Sequence, residues 1–243
     1  PVTALWRESA PATRRLGRAT SPVTGARLPI HHWSAPTAGA PSPVVLLLDG
    51  EVWHRQFAIA AELDRRVARG EVPPLHLLFL DSGGPKQREF DYASSPDESG
   101  ALLASVREVA TRGGVPDSPW IVAGQSMGGL FAMLAAVRHP HLVRAAVAQS
   151  PSLWWPSSPD PWQHESGWFE ECGAALAARA HIAPLLLQAG ELDDDVATRC
   201  RAAAVLLRSH GRLLGYDEHP GGHDVLQWQA DLADALSTVL SSA

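Results

Sequence analysis

The feature that most constrains the fold is a glycine-rich segment between a strand pattern and a helix pattern. Residues 124–129 read Gly-Gln-Ser-Met-Gly-Gly, and residues 120–123 before them are apolar, which predicts a buried strand. Apolar side chains then recur at helical spacing, at Leu130, Met133, Leu134 and Val137. A strand, a Gly-x-Ser-x-Gly turn and a helix together hold the central serine, Ser126, in strained backbone geometry with its hydroxyl raised above the sheet.

Strand and helix patterns alternate along the rest of the chain. Strand-like runs fall at residues 14–18, 27–33, 44–48, 75–80, 143–149, 183–189 and 213–218, and helical patterns at residues 56–69, 101–112, 169–179, 196–210 and 225–240. This alternation predicts an α/β protein with a mostly parallel sheet covered by helices on both faces. Together with the serine turn, it predicts the α/β-hydrolase fold.

The predicted domain organisation is a single unit. Residues 1–42 are expected to supply N-terminal strands and a linker, and residues 43–243 the α/β-hydrolase catalytic domain. A Trp- and Pro-rich insertion around residues 151–168 stands where a lid would lie, and residues 82–98 are predicted to form a polar loop.

A serine hydroxyl needs a base, and the chain order in this fold is serine, acid, histidine. His223 is the predicted base, since it follows a Gly-Gly pair just before the last helix. The acid is expected after the strand at 183–189, where four carboxylates cluster. Asp193 is favoured to hold the histidine tautomer, with Asp194 and Glu191 as alternatives, because acids here also suit the start of the next helix.

The oxyanion hole requires two backbone N–H groups. One is expected from Met127, directly after the nucleophile, and the other from the segment that follows the strand at 44–48, at Glu51 or Gly50. Trp154 and Trp155 follow a later strand at the same sheet edge, where they suit either a flat aromatic ligand or the packing of a cap segment.

Composition excludes several classes of function. The net charge of −6 argues against a nucleic-acid partner, and no run approaches the roughly 18 apolar residues of a membrane span. Cys172 and Cys200 are expected to be free and buried, and no Cys/His spacing indicates zinc. No cofactor or metal is expected, and the sequence leaves the oligomeric state open.

Four segments resemble the enterochelin (enterobactin) esterase family of esterase-D-like α/β-hydrolases. They are Asp-Gly-Glu-Val-Trp at 49–53, the serine turn at 124–129, Gln-Ser-Pro-Ser-Leu-Trp-Trp-Pro at 149–156, and Gly-Gly-His-Asp at 221–224 followed by Trp228. The resemblance implies a serine esterase that cleaves the trilactone of a catecholate siderophore such as enterobactin and so releases iron. The missing secretory signal pattern and the resemblance together imply a cytoplasmic location.

The resemblance also assigns roles to individual residues. It implies Ser126 as nucleophile, His223 as base and Asp193 as acid. It further implies substrate-binding roles for Trp53, Trp154 and Trp155, and for Lys86 or Arg88, whose cation could meet an anionic catecholate; a solvated charge cluster is the alternative for that loop.

Two other functions remain open at this stage. One is a carboxylesterase or acyltransferase of the same fold with another ester substrate, because a fold does not fix the substrate. The other is a siderophore-binding protein without turnover, which the presence of Ser126, His223 and Asp193 argues against.

Overall fold

The computed structural model describes residues 11–39, 42–155 and 167–242. The strands of this part of the chain are β1 (Arg14–Thr20), β2 (Arg27–Ser34), β3 (Val44–Leu48), β4 (His76–Leu80), β5 (Trp120–Gln125), β6 (Val143–Gln149), β7 (Leu185–Gly190) and β8 (Leu213–His219). The helices are α1 (Gly50–Arg55), α2 (Ile59–Ala68), α3 (Pro85–Tyr92), α4 (Pro96–Arg112), α5 (Met127–Arg138), α6 (Gly167–Ala177), α7 (Asp194–Ser209) and α8 (Val225–Ser241).

The strands form one sheet in the order β1-β2-β4-β3-β5-β6-β7-β8. β2 is antiparallel to both β1 and β4, and all the other neighbouring pairs are parallel. The predicted N-terminal strands are therefore present, as an antiparallel pair that joins the main sheet through β2 and β4, where Ile30 pairs with Leu80. Because β3 to β8 run in parallel, the segments after β3, β5, β6 and β7 emerge at one edge of the sheet.

Helices cover both faces of this sheet, as the sequence predicts. On β3, Val44 and Leu46 enter one apolar core with side chains of α4 to α7, whereas Val45 and Leu47 enter a second core with α1, α2 and α8. Successive strand residues point to opposite faces, so a strand buried on both sides has to be apolar throughout. The continuous apolar runs at β3 and β4 follow from this geometry.

One local prediction was wrong, and the start of a predicted helix differs. The segment at 82–98 is not a loop, because it contains α3 and the first residues of α4. Pro85 occupies the first turn of α3, and Ser95 caps α4 through a reciprocal capping box with Glu98. The helix predicted over 56–69 begins only at Ile59, and a separate short helix, α1, precedes it directly after β3.

Cys172 and Cys200 are free and buried, as predicted. Within residues 11–39, 42–155 and 167–242, no helix combines the length and apolar character needed to cross a bilayer. Most of the insertion predicted around residues 151–168 lies outside the described residues.

Candidate active site

Ser126 lies at the sharp turn between β5 and α5. Its backbone has φ 55° and ψ −120°, an unusual conformation for a residue other than glycine. The turn closes because its neighbours are glycines: a Cβ on Gly124 would lie 2.4 Å from the backbone carbonyl of Gly128. The backbone N–H of Ser126 donates to the Gln149 carbonyl at 2.9 Å, which ties the turn to β6. Strain of this kind persists only where the surrounding structure fixes it, and it is concentrated at functional sites.

His223 and Asp193 form a close pair. The Nδ1 atom of His223 lies 2.7 Å from Oδ2 of Asp193, although thirty positions separate the two residues in the chain. Asp193 follows β7 at the start of α7, and His223 lies in the connection between β8 and α8. Of the three acids left open by the sequence, Asp193 is the one that the structure brings to the histidine.

The loop that carries His223 is held in place on two sides. Asp224 caps α8 by accepting hydrogen bonds from two backbone N–H groups of its first turn, both at 3.0 Å. The indole of Trp228, one turn into α8, meets the His223 ring edge to face with 4.8 Å between centroids. The imidazole therefore has a carboxylate at Nδ1 and an aromatic ring at its side.

Ser126 and His223 line the same cleft, which has a volume of about 490 Å³. The side chains around it come from α1, α3, the serine turn and the start of α8. The lining residues are Asp49, Glu51, Val52, Trp53, Gln56, Ser82, Gly84, Pro85, Arg88, Gln125, Ser126, His223, Val225 and Trp228. A cleft of this size lies within the range of about 300–1,000 Å³ that is typical of small-molecule sites.

The Ser126 hydroxyl also has a close neighbour in a second serine. The two Oγ atoms of Ser126 and Ser152 are 3.2 Å apart, and the Ser152 N–H donates to the Ser126 carbonyl at 3.0 Å. Ser152 is buried and follows β6, and its hydrogen bond to the Ser126 carbonyl ties the serine turn to the segment after β6. No role for this residue was predicted from the sequence.

The two predicted oxyanion donors lie in the first turns of two helices. Met127 is the first residue of α5 and Glu51 the second residue of α1, so neither N–H has a partner four residues earlier within its helix. The Glu51 carboxylate accepts hydrogen bonds from the N–H and the hydroxyl of Ser82, which fixes the start of α1 against the end of β4. Both N–H groups belong to segments next to the cleft.

Arg88 reaches the cleft from α3, but its charge is already paired. Its Nε and Nη2 atoms donate to the two carboxylate oxygens of Asp49 at 3.0 and 2.8 Å, and Nη2 also donates to the Gln125 carbonyl at 3.3 Å. Burial raises the pKa of Asp49 to about 6, because desolvation outweighs the opposing charge of Arg88. Lys86, the alternative cation, is exposed and is absent from the described lining of the cleft.

The aromatic residues of the cleft differ from those emphasised by the sequence. Trp53 and Trp228 line it, whereas Trp154 and Trp155 are half-buried, pack against the core and are absent from the described lining. The adjacent tryptophan pair therefore lies outside the cleft of the described residues. The family motifs contained Trp228, but only its contact with His223 in the folded chain indicates a role.

A row of buried amides links the two cleft tryptophans beneath Ser126. Trp53 Nε1 donates to Gln125 Oε1 at 3.0 Å, Gln125 Nε2 to Gln149 Oε1 at 3.0 Å, and Gln149 Nε2 to Gln188 Oε1 at 2.8 Å. Gln149 Nε2 also donates to the backbone carbonyl of Trp228 at 3.0 Å. The sequence signal for this row was the presence of three glutamines at or near the ends of apolar strands. No role was predicted for them.

The family model described as "Putative esterase" matches residues 21–239. The chain belongs to this esterase family. Among curated relatives, an iron(III) enterobactin esterase of Dickeya dadantii is 28% identical over 212 residues, which cover 83% of this chain and 48% of the relative. The corresponding enzyme of Escherichia coli K12 is 27% identical over 198 residues, covering 80% of this chain and 48% of the relative. The chain thus spans about half the length of the curated relatives it matches.

Solved structures confirm the fold of this esterase family member. The enterobactin esterase of Shigella flexneri, solved in the presence of enterobactin, superimposes with a TM-score of 0.82 at 21% identity; the match covers 100% of this chain and 62% of that one. A siderophore hydrolase of Aspergillus nidulans gives a TM-score of 0.72 at 18% identity, covering 96% of both chains. The α/β-hydrolase fold predicted from the sequence is confirmed.

Proposed function

We propose that this chain is a serine esterase that hydrolyses the ester bonds of a catecholate siderophore. The observation that carries the proposal is that His223 pairs with Asp193 and lines the same cleft as the strained Ser126. Relatives named iron(III) enterobactin esterase and iron(III) salmochelin esterase support the substrate class. A cytoplasmic location, expected from the resemblance, stays a prediction.

The proposed reaction is acyl transfer through an acyl-enzyme. His223 takes the proton of the Ser126 hydroxyl as the oxygen attacks the ester carbonyl, and Asp193 holds the imidazole and stabilises its charged form. The N–H groups of Met127 and Glu51 donate to the oxyanion. His223 then protonates the departing serine hydroxyl of the substrate, and a water molecule, deprotonated by the same histidine, releases the acid and restores Ser126.

The walls of the cleft suit an aromatic acyl group. Trp228 on α8 lines the cleft with a partly exposed indole, whereas Trp53 on α1 adjoins the cleft but is only 1% exposed. The amide row connects the two tryptophans. The flat indole of Trp228 complements a catechol ring. Iron, if it is bound, arrives with the substrate as cargo.

One observation favours a second candidate, a carboxylesterase acting on a different aromatic ester. The Arg88 guanidinium, which could meet an anionic catecholate, already makes two hydrogen bonds to Asp49. A binding site with this charge neutralised has less to gain from an anionic ligand than one with an unpaired arginine. An uncharged aromatic ester would fit the same tryptophan-lined cleft.

The deciding experiment is a chromatographic assay of the purified protein with enterobactin, ferric enterobactin and p-nitrophenyl butyrate. Ser126→Ala is the test variant, and Ser209→Ala, which removes an exposed hydroxyl from the end of α7, is the matched control. Stepwise release of dihydroxybenzoylserine by the wild type and by Ser209→Ala, but not by Ser126→Ala, supports the proposal.

Each other outcome has a distinct meaning. Hydrolysis of p-nitrophenyl butyrate alone supports the second candidate and overturns the siderophore assignment. Full activity in Ser126→Ala overturns the mechanism. Tryptophan quenching by ferric enterobactin without any product supports a siderophore-binding protein in place of an esterase.

A further inference from the structure

Three side chains with metal-binding atoms converge behind α1, outside the described lining of the cleft. His31 comes from β2, His54 from α1 and Asp81 from the residue after β4. One potential ligand atom from each lies within 4.8 Å of the others. We propose that His31, His54 and Asp81 form a binding site for a divalent transition metal of the zinc class, independent of the esterase proposal.

The distances between the potential ligand atoms are close to those of a tetrahedral site. His54 Nε2 is 3.2 Å from Asp81 Oδ1, and His31 Nε2 is 3.8 Å from Asp81 Oδ2. Zinc bonds of 2.0–2.1 Å at tetrahedral angles place ligand atoms about 3.4 Å apart. The three candidate atoms lie within 4.8 Å of one another, so binding would draw the side chains together by up to about 1 Å, with water as a fourth ligand.

Burial and chemistry also suit a metal. The side chains of His54 and Asp81 are 6% and 8% exposed, and that of His31 is 15% exposed. The two imidazole rings stack with 4.0 Å between their centroids, so one ring must turn out of the stack for both nitrogens to point at one ion. Two imidazoles and one carboxylate are a ligand set used by Zn²⁺ and by other first-row divalent metals.

Arg55 is a cation that contacts the proposed site and opposes an ion there. Its Nη2 atom lies 3.4 Å from Asp81 Oδ2, but its side chain is 61% exposed and can turn towards solvent. Charge repulsion by the guanidinium, and its hydrogen bond to a carboxylate oxygen of Asp81, would both weaken metal binding. Removal of the Arg55 charge is therefore expected to strengthen metal binding.

The site would join β2, α1 and the end of β4. α1 carries Glu51 and Trp53 of the cleft, and Glu51 is hydrogen-bonded to Ser82, the residue after Asp81. A metal here would hold one wall of the cleft in place, and its ligands are absent from the described cleft lining. The three residues lie at positions 31, 54 and 81, a spacing that matches no recognisable zinc motif. A zinc site was therefore not predicted from the sequence.

The test uses chain without a polyhistidine tag, stripped with EDTA and titrated with ZnCl₂ by calorimetry. His31→Gln and Asp81→Asn remove ligands, and His181→Gln, which changes an exposed histidine elsewhere, is the matched control. We expect one zinc per chain with micromolar or tighter affinity in the wild type and in His181→Gln, and at least a hundredfold weaker binding in the two ligand variants. Arg55→Gln is expected to bind zinc at least about fivefold more tightly than the wild type does.

Two readouts on the wild type keep the test independent of variants that fail to fold. Co²⁺ should give the intense visible bands of a tetrahedral centre, and excess Zn²⁺ should raise Tm by roughly 5 °C. Absence of zinc binding below about 100 µM in the wild type overturns the proposal. One-to-one binding that persists in folded His31→Gln also overturns it.

Discussion

Replacement of Gly190 by alanine is expected to displace the loop that holds His223. Gly190 ends β7, and a Cβ built on it would lie 2.4 Å from the Gly221 carbonyl oxygen and 2.6 Å from that of Gly222. Ordinary contact begins near 3.4 Å, so the strand and the loop must separate by about 1 Å. The φ of Gly190 lies outside the left-handed region, so the effect of alanine is purely one of space.

The magnitude follows from what the loop carries. A displacement of about 1 Å at Gly221 and Gly222 moves the next residue, His223, away from Asp193 and Ser126. Misplacement of a catalytic group by this distance lowers turnover about 100-fold. Overpacking of this kind also lowers the free energy of unfolding by about 1–3 kcal/mol.

The assay is steady-state hydrolysis of p-nitrophenyl butyrate, combined with urea unfolding of the same preparations. Gly222→Ala is the matched control, because it adds the same methyl group to the same loop and a Cβ there meets nothing within 4 Å. We expect Gly222→Ala to keep kcat/KM within about threefold of the wild type. The loss in Gly190→Ala should appear mainly in kcat, since the part of the cleft wall formed by α1 and α3 does not move.

A Gly190→Ala protein with wild-type kcat/KM and wild-type stability would refute this prediction. The prediction would also fail if both alanine variants lost activity equally, because the effect would then reflect the flexibility of the loop rather than the close contact with β7.

Three further predictions concern the groups around the cleft and the N-terminal strands. Asp193→Asn should lower kcat for p-nitrophenyl butyrate by about 10²–10⁴-fold with little change in KM, because asparagine cannot stabilise the charged His223. Asp194→Asn is the matched control. A loss of kcat below tenfold in Asp193→Asn would contradict the assignment of Asp193 as the acid. Gln149→Leu should lower the free energy of unfolding, measured in urea, by about 3–6 kcal/mol, because loss of the fully buried amide leaves its three hydrogen-bond partners unpaired. A change below about 1 kcal/mol would show that these hydrogen bonds contribute little. Burial lowers the pKa of His32 to about 4, below its ordinary 6.5, so the unfolded chain binds the proton more readily and stability falls as pH drops through this window. Between pH 7 and 5 the wild type should therefore lose about 1–2 kcal/mol more than His32→Gln, and parallel pH profiles would contradict this.

The sequence alone determined the architecture and the position of the serine. Buried parallel strands must be apolar on both faces, so the runs at β3, β4, β5 and β7 were recognisable without any tertiary information. The Gly-x-Ser-x-Gly turn was equally clear, because only glycines fit where the backbones of Gly124 and Gly128 touch. Local chemistry specified these features, and the structure reproduces them.

Only the tertiary structure decided how the side chains of distant segments meet. Four carboxylates follow β7, and the distance to His223 singled out Asp193 among them. The sequence of α3 is too polar to show an apolar helical face, and only the folded chain shows that this helix brings Arg88 to Asp49.

The aromatic lining of the cleft and the three possible metal ligands depend on the same principle. Trp228 lies at the cleft because α8 packs on the same face of the sheet as α1, whereas Trp154 and Trp155 pack against the core on the other face. Contacts between residues far apart in the chain are set by strand order and helix packing, and neither is encoded in any short stretch of sequence.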